Sequence, residues 1–470
     1  MSATDLLVRS LSKMHALVAS GNAHPREASE RDIEGLRKQL HECAEGRGGE
    51  VSTRQRAARL AEAYLRLNDN GRRRFLLMIA LEFGPDAARV AEAHAAYQAA
   101  VGSPGQWDAE ARLRAAMRSR RLRILTQFNA IPQGVKFLVD LRADLLRYLR
   151  DEPLLGPLDR ELEARLTAWF DVGFLELKRI TWQSPAALLE KLVRYEAVHE
   201  IRSWDDMKNR LDSDRRCYAF FHPRMPLEPL IFVQVALVDA LADDVQKLLD
   251  IHAPLADAGR ATTAIFYSIS NTQEGLRGVS FGNFLLKRVV EDLQRDFPKL
   301  DTFSTLSPIP GLVAWIRRHS AEAASAFTAR DRRQLAAAGV EQIDAAFWNR
   351  LAEGAWTADK RLARALQEPL LRLAARYLVN ARRDGKPADP VARFHLGNGA
   401  RVERLNWLAD TSDKGFGQSF GMMVNYLYDP ARIESNVEAF STDGQVAAVA
   451  SVKRMARASA QAAAITSPKT

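Results

Sequence analysis

The first 190 residues carry apolar side chains at intervals of three and four, which is the spacing of amphipathic helices. The pattern is clearest in the segments 53–67, 72–83, 85–101, 107–125 and 133–150. Glycine or proline separates most of these segments. Arg142 interrupts the apolar stripe of the last segment, so we expect it to be paired or to reach solvent. We therefore predict a helical domain over residues 1–190.

After about residue 195 the pattern changes to short apolar runs rich in aromatic and β-branched residues, which are typical of buried strands. The four runs are Cys217–Phe221, Leu230–Val238, Thr262–Ser270 and Thr302–Leu306. Helical spacing separates them at 239–251 and again at 279–296. The order strand, strand, helix, strand, helix, strand indicates a mixed α/β core, which we assign to a second domain, residues 191–470.

Further along the chain, helical spacing returns at 331–383. Residues 391–408 are predicted to form a hairpin that turns at 397–399, which would place His395 on a short strand. A helix near 417–428 would then carry Asn425 and Tyr428 on one face, because positions i and i+3 are neighbours on a helix.

Composition limits what the protein can bind. Lys and Arg number 67 against 58 Asp and Glu, so the net charge is +9 over 470 residues. That small excess does not indicate a polyanion, and we predict no nucleic-acid partner. Two arginine clusters, 72–74 and 118–123, are better explained as solvated helix faces than as phosphate contacts.

Two cysteines, Cys43 and Cys217, exclude a disulfide scaffold and a four-cysteine metal site, and they favour a reducing compartment. The N-terminal segment lacks the continuous apolar core of a signal peptide. No apolar run approaches the roughly 18 residues of a membrane span, so we predict a cytoplasmic protein without a membrane partner. His41–Cys43 has no second group of ligands nearby in sequence, so we predict no metal site.

The segment Asn271–Asn283 is dense in glycine and polar residues and lies between a predicted strand and a predicted helix. Gly278 and Gly282 would let a ligand approach the backbone, and the helix N-terminus and Arg277 would add positive charge. This combination suits a pyrophosphate, although a turn that merely starts a helix fits the spacing equally well. Residues 278–282 also spell G-x-S-x-G, but too few strands precede them for a hydrolase nucleophile elbow.

Ser307 and His395 are candidate catalytic residues. Ser307 follows a predicted strand within Leu306–Gly311 (LSPIPG), where a side chain can face a cleft. A histidine suits acid–base chemistry near neutral pH. Each residue also has a structural interpretation, because Ser-Pro commonly ends a strand and a lone histidine is commonly a buried structural residue. The aromatic pair in Asn425–Tyr428 could likewise form the edge of a core.

These segments resemble the malonyl-CoA decarboxylase family. The similar stretches are Cys217–Phe221, Ala264–Asn271, Gly275–Val290, Leu306–Gly311, Pro390–Leu396, Asn406–Asp410 and Asn425–Tyr428, in the family's order. They cover about residues 180–430, and AIFYSIS and LSPIPG are quite specific. The helical first half adds little distinguishing sequence. Ser280 stands where animal relatives are expected to have an acidic residue, so this chain lacks that carboxylate.

The resemblance implies an α+β protein, with an N-terminal all-helical domain followed by a mixed α/β catalytic domain of the GNAT acyltransferase type. It implies decarboxylation of malonyl-CoA to acetyl-CoA and CO₂, through a thioester enolate that a histidine protonates, without metal, biotin or another cofactor. It also implies a homo-oligomer, for which the family suggests a tetramer.

The resemblance further assigns site residues. Ser307 and His395 match the family's catalytic serine and histidine, and Asn425 and Tyr428 match polar positions of the acyl pocket. The implied CoA-binding loop consists of Arg277, Gly278, Val279, Ser280, Phe281, Gly282 and Asn283.

Two other functions fit parts of the sequence. A GNAT-type enzyme that transfers an acyl group from CoA to an amine would share the loop but would not need Ser307 and His395. Alternatively, the basic helical half could be an interaction or RNA-binding scaffold, which the modest charge disfavours.

Overall fold

The computed structural model describes residues 27–46, 49–279 and 284–466. The chain divides into two compact units. Unit 1 contains residues 1–175 together with two later segments, 221–229 and 273–280. Unit 2 contains the remainder, 176–220, 230–272 and 281–470.

Unit 1 is helical, in agreement with the apolar spacing. Its α-helices are α1 Glu30–Glu45, α2 Glu50–Arg66, α3 Asp69–Glu82, α4 Ala87–Ala100, α5 Gln106–Ala116, α6 Arg121–Asn129, α7 Gly134–Tyr148 and α8 Gly156–Trp169. Single 3₁₀ turns lie at Pro153–Leu155, Val172–Phe174 and Glu274–Leu276. Side chains define several helix starts: Ser29 and Asp32 form a capping box at α1, and Asn68 caps α3.

The core of unit 1 is built on a cluster of buried aromatic rings. Tyr64 lies 5.1 Å from Phe75 and 5.8 Å from Phe137, whose ring is 5.1 Å from Phe128, measured between centroids. Tilted and edge-on pairs of this kind stabilise a core beyond the apolar area that they bury.

Unit 2 is a mixed sheet with helices. Its strands are β1 Glu176–Ile180, β2 Arg215–Phe221, β3 Pro229–Val238, β4 Thr263–Asn271, β5 Thr302–Thr305, β6 Ser307–Pro308, β7 Arg382–Arg383, β8 Lys386–Pro387, β9 Arg401–Asn406 and β10 Met423–Leu427. The first helices are α9 Ala186–Tyr195, α10 Trp204–Asn209, α11 Val245–Leu249, α12 Phe284–Asp296, α13 Leu312–Arg318, α14 Ser320–Ser325 and α15 Ala329–Ala337. The later helices are α16 Ala345–Ala352, α17 Lys360–Asn380, α18 Pro390–Gly397, α19 Asp413–Ser419, α20 Ile433–Asp443 and α21 Ala450–Thr466, and a 3₁₀ turn lies at Ala355–Ala358.

The sheet runs in the order β1-β2-β3-β4-β5-β10-β6. Strands β5 and β6 follow each other along one edge of β10, and β9 pairs with its opposite edge. Strands β3 and β4 are antiparallel, whereas β4 and β5 are parallel. The helical region followed by this mixed sheet confirms the predicted fold class. Among the described helices, none is both long and apolar enough to cross a membrane.

Strand β1, Glu176–Ile180, lies within residues 1–190, for which the apolar spacing predicts helix. Two further elements differ from the sequence prediction. The predicted hairpin at 391–408 is helix α18 followed by strand β9, so His395 lies on a helix and not on a strand. The predicted helix at 417–428 is the short helix α19 followed by strand β10, so Asn425 lies on a strand and Tyr428 just after it. Short apolar runs suit a helix or a strand equally well, so tertiary packing and the helix caps Asp389 and Ser412 decide which of the two forms in these segments.

Candidate active site

The end of strand β5 leaves an opening in the sheet of unit 2. Strand β4 pairs with β5 only from Thr263 to Phe266 and then continues to Asn271. A cavity of about 200 Å³ lies beyond the point where this pairing ends. Its walls are Val198, Phe266, Tyr267, Ile269, Asn271, Ser307, Pro308, Pro390, Val391, Phe394 and His395. Ser307 faces it from β6, which pairs with the same strand β10 as β5 does.

Helix α18 brings His395 to this cavity. Asp389 caps the helix, accepting hydrogen bonds from Val391 N at 2.9 Å and Ala392 N at 3.0 Å, and Pro390 is the first helical residue. The same buried carboxylate accepts from Gly311 N at 3.2 Å, which ties the helix start to the LSPIPG segment. His395 Nε2 consequently lies 3.1 Å from Ser307 Oγ.

A hydrogen-bonded chain fixes the orientation of this pair. Ser307 Oγ donates to Thr305 Oγ1 at 2.8 Å, so the serine oxygen remains free to accept from His395 Nε2–H. On the other side of the ring, Tyr428 OH lies 2.7 Å from His395 Nδ1. Tyr428 then donates to Nδ1, and the histidine is the tautomer with its proton on Nε2. The ring of Tyr426 stacks on the imidazole at 4.6 Å between centroids.

Burial determines the charge state of these groups. It lowers the pKa of His395 to about 3, because the imidazolium would lose its hydration. Burial also raises the pKa of Tyr428 well above its ordinary value. In the unliganded protein at neutral pH, both the imidazole and the phenol are therefore uncharged.

Asn425 lies away from this group. Because side chains alternate along a strand, Tyr426 faces His395 while Asn425 points to the opposite side of β10. There its Nδ2 donates to Thr305 O at 2.8 Å and Ala242 O at 3.0 Å. Its Oδ1 accepts from Arg404 Nε and Asn406 Nδ2. The arrangement holds the sheet together, and an acyl-pocket role for Asn425 stays a prediction.

The predicted CoA-binding loop begins in unit 1. Arg277 and Gly278 are exposed and Val279 is buried, whereas Ser280, Phe281, Gly282 and Asn283 lie outside the described residues. Gly278 has φ +89°, a backbone conformation that favours glycine. The loop start is therefore both accessible and conformationally specific, as a close approach of a ligand to the backbone requires.

Arg142 anchors the start of the loop. This buried arginine donates to Gly275 O at 3.0 Å and to Arg277 O at 2.6 Å, and it pairs with Asp159 at 2.9 Å. A Cβ at Gly275 would collide with the backbone carbonyl of Val139 in α7, so only glycine allows this approach. Of the two expectations for Arg142, pairing is the one observed.

Sequence reasoning missed three supporting residues: Asp389, Thr305 and Tyr426. A signal for the first was present, because Asp389-Pro390 is an N-cap followed by proline at the first helical position. Thr305 and Tyr426 carry no such signal, since their contacts with Ser307 and His395 depend on strand pairing. Among the described residues, no three His, Cys, Asp or Glu side chains gather where they could hold a metal ion.

Comparison with known proteins points to one family. A family model described as the malonyl-CoA decarboxylase C-terminal domain matches residues 173–466, and one for the N-terminal domain matches residues 83–170. The mitochondrial malonyl-CoA decarboxylase of Anser anser anser is 39% identical over 403 residues, covering 82% of this chain and 80% of that protein. The Mus musculus protein of the same name is 40% identical over 387 residues, covering 78% and 77%.

Solved structures agree. The crystal structure of malonyl-CoA decarboxylase from Rhodopseudomonas palustris has a TM-score of 0.81 and 41% identity, covering 90% of this chain and 99% of that one. The structure from Agrobacterium vitis gives a TM-score of 0.79 at 42% identity, with the same coverage.

The two family models and the solved structures of the same fold place this chain among the decarboxylases. The chain belongs to the malonyl-CoA decarboxylase family. The predicted enzyme class, a carboxy-lyase acting on malonyl-CoA, is thereby confirmed over the acyltransferase alternative.

Proposed function

We propose that Ser307 and His395 carry out the decarboxylation of malonyl-CoA to acetyl-CoA and CO₂ in this chain. The observation that carries the proposal is the 3.1 Å approach of Ser307 Oγ to His395 Nε2 at the wall of a cavity of about 200 Å³. This volume suits a short acyl group, and the two side chains are the polar catalytic candidates on its wall.

The reaction consumes one proton. The bond between C2 and the ionised carboxylate breaks, and CO₂ leaves without the bonding electron pair. That pair passes to the thioester as an enolate, and C2 then forms a bond to a proton. The site must therefore hold the malonyl carboxylate, stabilise the enolate oxygen and supply a proton to C2.

Ser307 holds the malonyl carboxylate, and His395 supplies the proton to C2. Ser307 turns its hydroxyl hydrogen from Thr305 towards the malonyl carboxylate and so orients it. The carboxylate brings a negative charge close to Nε2, which raises the pKa of His395 above its low value in the free protein. The resulting imidazolium donates its Nε2 proton to C2. Tyr428 keeps Nε2 directed at the cavity by holding Nδ1.

Strand β4 is the candidate for stabilising the enolate. Its residues 267–271 extend past the last pairing with β5, and Tyr267, Ile269 and Asn271 border the cavity. Backbone N–H groups along this edge are fixed by the pairing of β4 with β3 on its other side. Donors that are already in place typically contribute a few kcal/mol each to such a transition state.

The loop from Arg277 to Asn283 is proposed to bind the pyrophosphate of CoA. Support comes from the exposed Arg277, from the positive φ of Gly278 and from the glycine at 282 just before helix α12. Arg142 holds the loop start in place through two carbonyl groups. Arg277 and the N–H groups of the first turn of α12 would then face the phosphates.

We also propose that residues 1–190 act in oligomerisation and residues 191–470 in catalysis, in a homo-oligomer. Support for self-association comes from helices α4 and α5. Helix α4 has no buried residue, and Trp107 in α5 is 72% exposed. A tetramer, a mechanism without metal or biotin and a cytoplasmic location complete the proposal, and the two buried free thiols fit a reducing compartment.

The decisive experiment is incubation of the purified protein with malonyl-CoA and no acceptor amine, with acetyl-CoA and CO₂ measured together. We expect equal amounts of both products. His395→Asn should lower kcat by about 10²–10⁴-fold, the usual contribution of a general acid, and Ser307→Ala should act in the same direction. The double variant should be little worse than the poorer single variant, because residues that act as a unit are not additive.

Matched controls separate catalysis from folding. His319→Asn and Ser441→Ala replace exposed residues of the same type and should leave kcat unchanged. A folded His395→Asn protein with near-normal turnover would reduce His395 to a buried structural residue. Product formation that requires an added amine would restore the acyltransferase alternative.

A further inference from the structure

The two arginine clusters noted in the sequence have different environments in unit 1. The first cluster is neutralised by acidic side chains. The pairs are Arg72–Asp144 at 3.1 Å, Arg73–Glu152 at 3.3 Å and Arg74–Glu30 at 2.8 Å. This cluster is accounted for by contacts within the unit.

The second cluster is only partly accounted for. Arg121 turns inward, where it contacts Glu161 at 2.8 Å and Ala80 O at 2.6 Å. Arg118, Arg120 and Arg123 instead line an open groove of about 600 Å³, where Arg165 of α8 joins them. The other lining residues are Ala44, Ser119, Leu122, Thr126 and Gln127. Within the described ranges, none of the four groove arginines forms an ion pair with a carboxylate.

Two of these arginines are held in position by groups that leave their charge intact. Arg120 donates to Glu82 O at 2.9 Å and lies over the ring of Phe83. Arg123 donates to the carbonyl groups of Ala44 and Glu45, each at 3.1 Å. A guanidinium has five N–H donors, so each retains unused donors on a positively charged group. The groove therefore presents four cations, two of them preorganised, without a matching set of anions.

We propose that this groove binds a small anion carrying two or more phosphate groups. Arginine forks match phosphate oxygens in charge and in bidentate geometry. The volume lies in the range of small-molecule sites, so a compact ligand fits better than a nucleic-acid duplex. The site is built wholly from unit 1 and shares no residue with the loop that we propose for CoA.

The test measures binding of inorganic tripolyphosphate to the full-length protein by calorimetry at low and moderate salt. We expect the tightest tripolyphosphate site of each chain to be the groove, with a stoichiometry of one, and its affinity should fall as salt rises. Arg118→Gln combined with Arg165→Gln should weaken binding by about tenfold or more, since two charge-assisted contacts are lost. Arg150→Gln removes an arginine whose side chain is 92% exposed and lies outside the groove, so this variant should bind tripolyphosphate as the parent protein does.

A third variant separates the groove from the CoA loop. Arg277→Gln should leave tripolyphosphate binding intact, and the groove double variant should keep the wild-type KM for malonyl-CoA. If Arg277→Gln weakens binding while the groove variant does not, the anion occupies the CoA loop and the proposal is wrong. The anion-site proposal is also wrong if the parent protein binds no tripolyphosphate and the groove variant loses self-association. The groove would then be a contact between copies of the chain.

Discussion

At the scale of single residues, the low pKa of His395 leads us to predict how kcat/KM and kcat depend on pH. The free protein holds this imidazole neutral, with a pKa of about 3, yet the proposed reaction needs it protonated. Since kcat/KM reports the ionisation of the free enzyme, its logarithm should fall by about one unit per pH unit between about pH 6 and 8. The profile of kcat should instead level off towards low pH, because bound substrate raises the pKa of His395.

This pH dependence is checked with initial rates over that range, at substrate concentrations well above and well below KM. His395→Asn should lose the slope in kcat/KM. A flat profile in the parent protein would mean that the proton reaches C2 from another donor.

The contact between Tyr428 and His395 makes a second prediction. Tyr428→Phe keeps the ring but leaves buried Nδ1 without its partner, which costs about 1–3 kcal/mol. We expect kcat to fall by about tenfold or more while KM changes little, since Tyr428 is proposed to orient the histidine and not to bind CoA. Tyr97→Phe, on exposed helix α4, is the control. A rise in KM alone would instead support the acyl-pocket assignment that the family resemblance implied.

At the scale of elements, Gly278 offers a test of the loop. Its positive φ strains any other residue, and an added Cβ would meet the carboxylate of Glu163. Gly278→Val should therefore raise KM for malonyl-CoA at least several-fold, with a smaller effect on kcat. Ser280→Ala is the matched control in the same loop and should keep most of the activity. Labelling of Ser280 by a serine-hydrolase probe, with loss of activity in the alanine variant, would instead revive the nucleophile elbow.

The elements around the site show what a sequence can and cannot predict. Ser307 follows a β-rich run and is the serine of the Ser307-Pro308 step, and these local features suffice to place it at a strand end. The short apolar run in 390–397 suits a strand, but the segment is a helix, and Asp389 and Pro390 are the signal of its start. The pattern predicts a helix that carries Asn425 and Tyr428 on one face, whereas the alternation of side chains along strand β10 directs Tyr426 at His395.

At the scale of the whole molecule, two buried neutral histidines predict sensitivity to acid. Burial lowers the pKa of His395 to about 3 and that of His199 to about 4. At His199 the negative charge of Asp410 partly offsets this lowering. An unfolded chain protonates both near pH 6.5, so it binds more protons than the folded chain below that pH. Stability should be complete above about pH 6.5 and fall as the pH drops, by up to about 1.4 kcal/mol per pH unit for each histidine.

Urea unfolding at about pH 7.5, 6.0 and 5.0 measures this loss. His395→Asn should lose less free energy of unfolding between the first and last pH than the parent protein does. His319→Asn, which removes an exposed histidine, should follow the parent curve. Identical losses in the parent and in His395→Asn would show that the buried imidazole does not govern acid stability.

The division of the chain into two units has a consequence for biosynthesis. Unit 1 includes residues 221–229 and 273–280, which are translated long after its helices. The hydrogen bonds of Arg142 in particular form only after its acceptors, the carbonyl groups of Gly275 and Arg277, are synthesised 133 and 135 positions later. The helical region therefore cannot reach its final state while the nascent chain is still shorter than about 280 residues. Its last steps of folding are linked to the emergence of strands β2 to β4 from the ribosome, because segment 221–229 connects β2 to β3 and segment 273–280 follows β4.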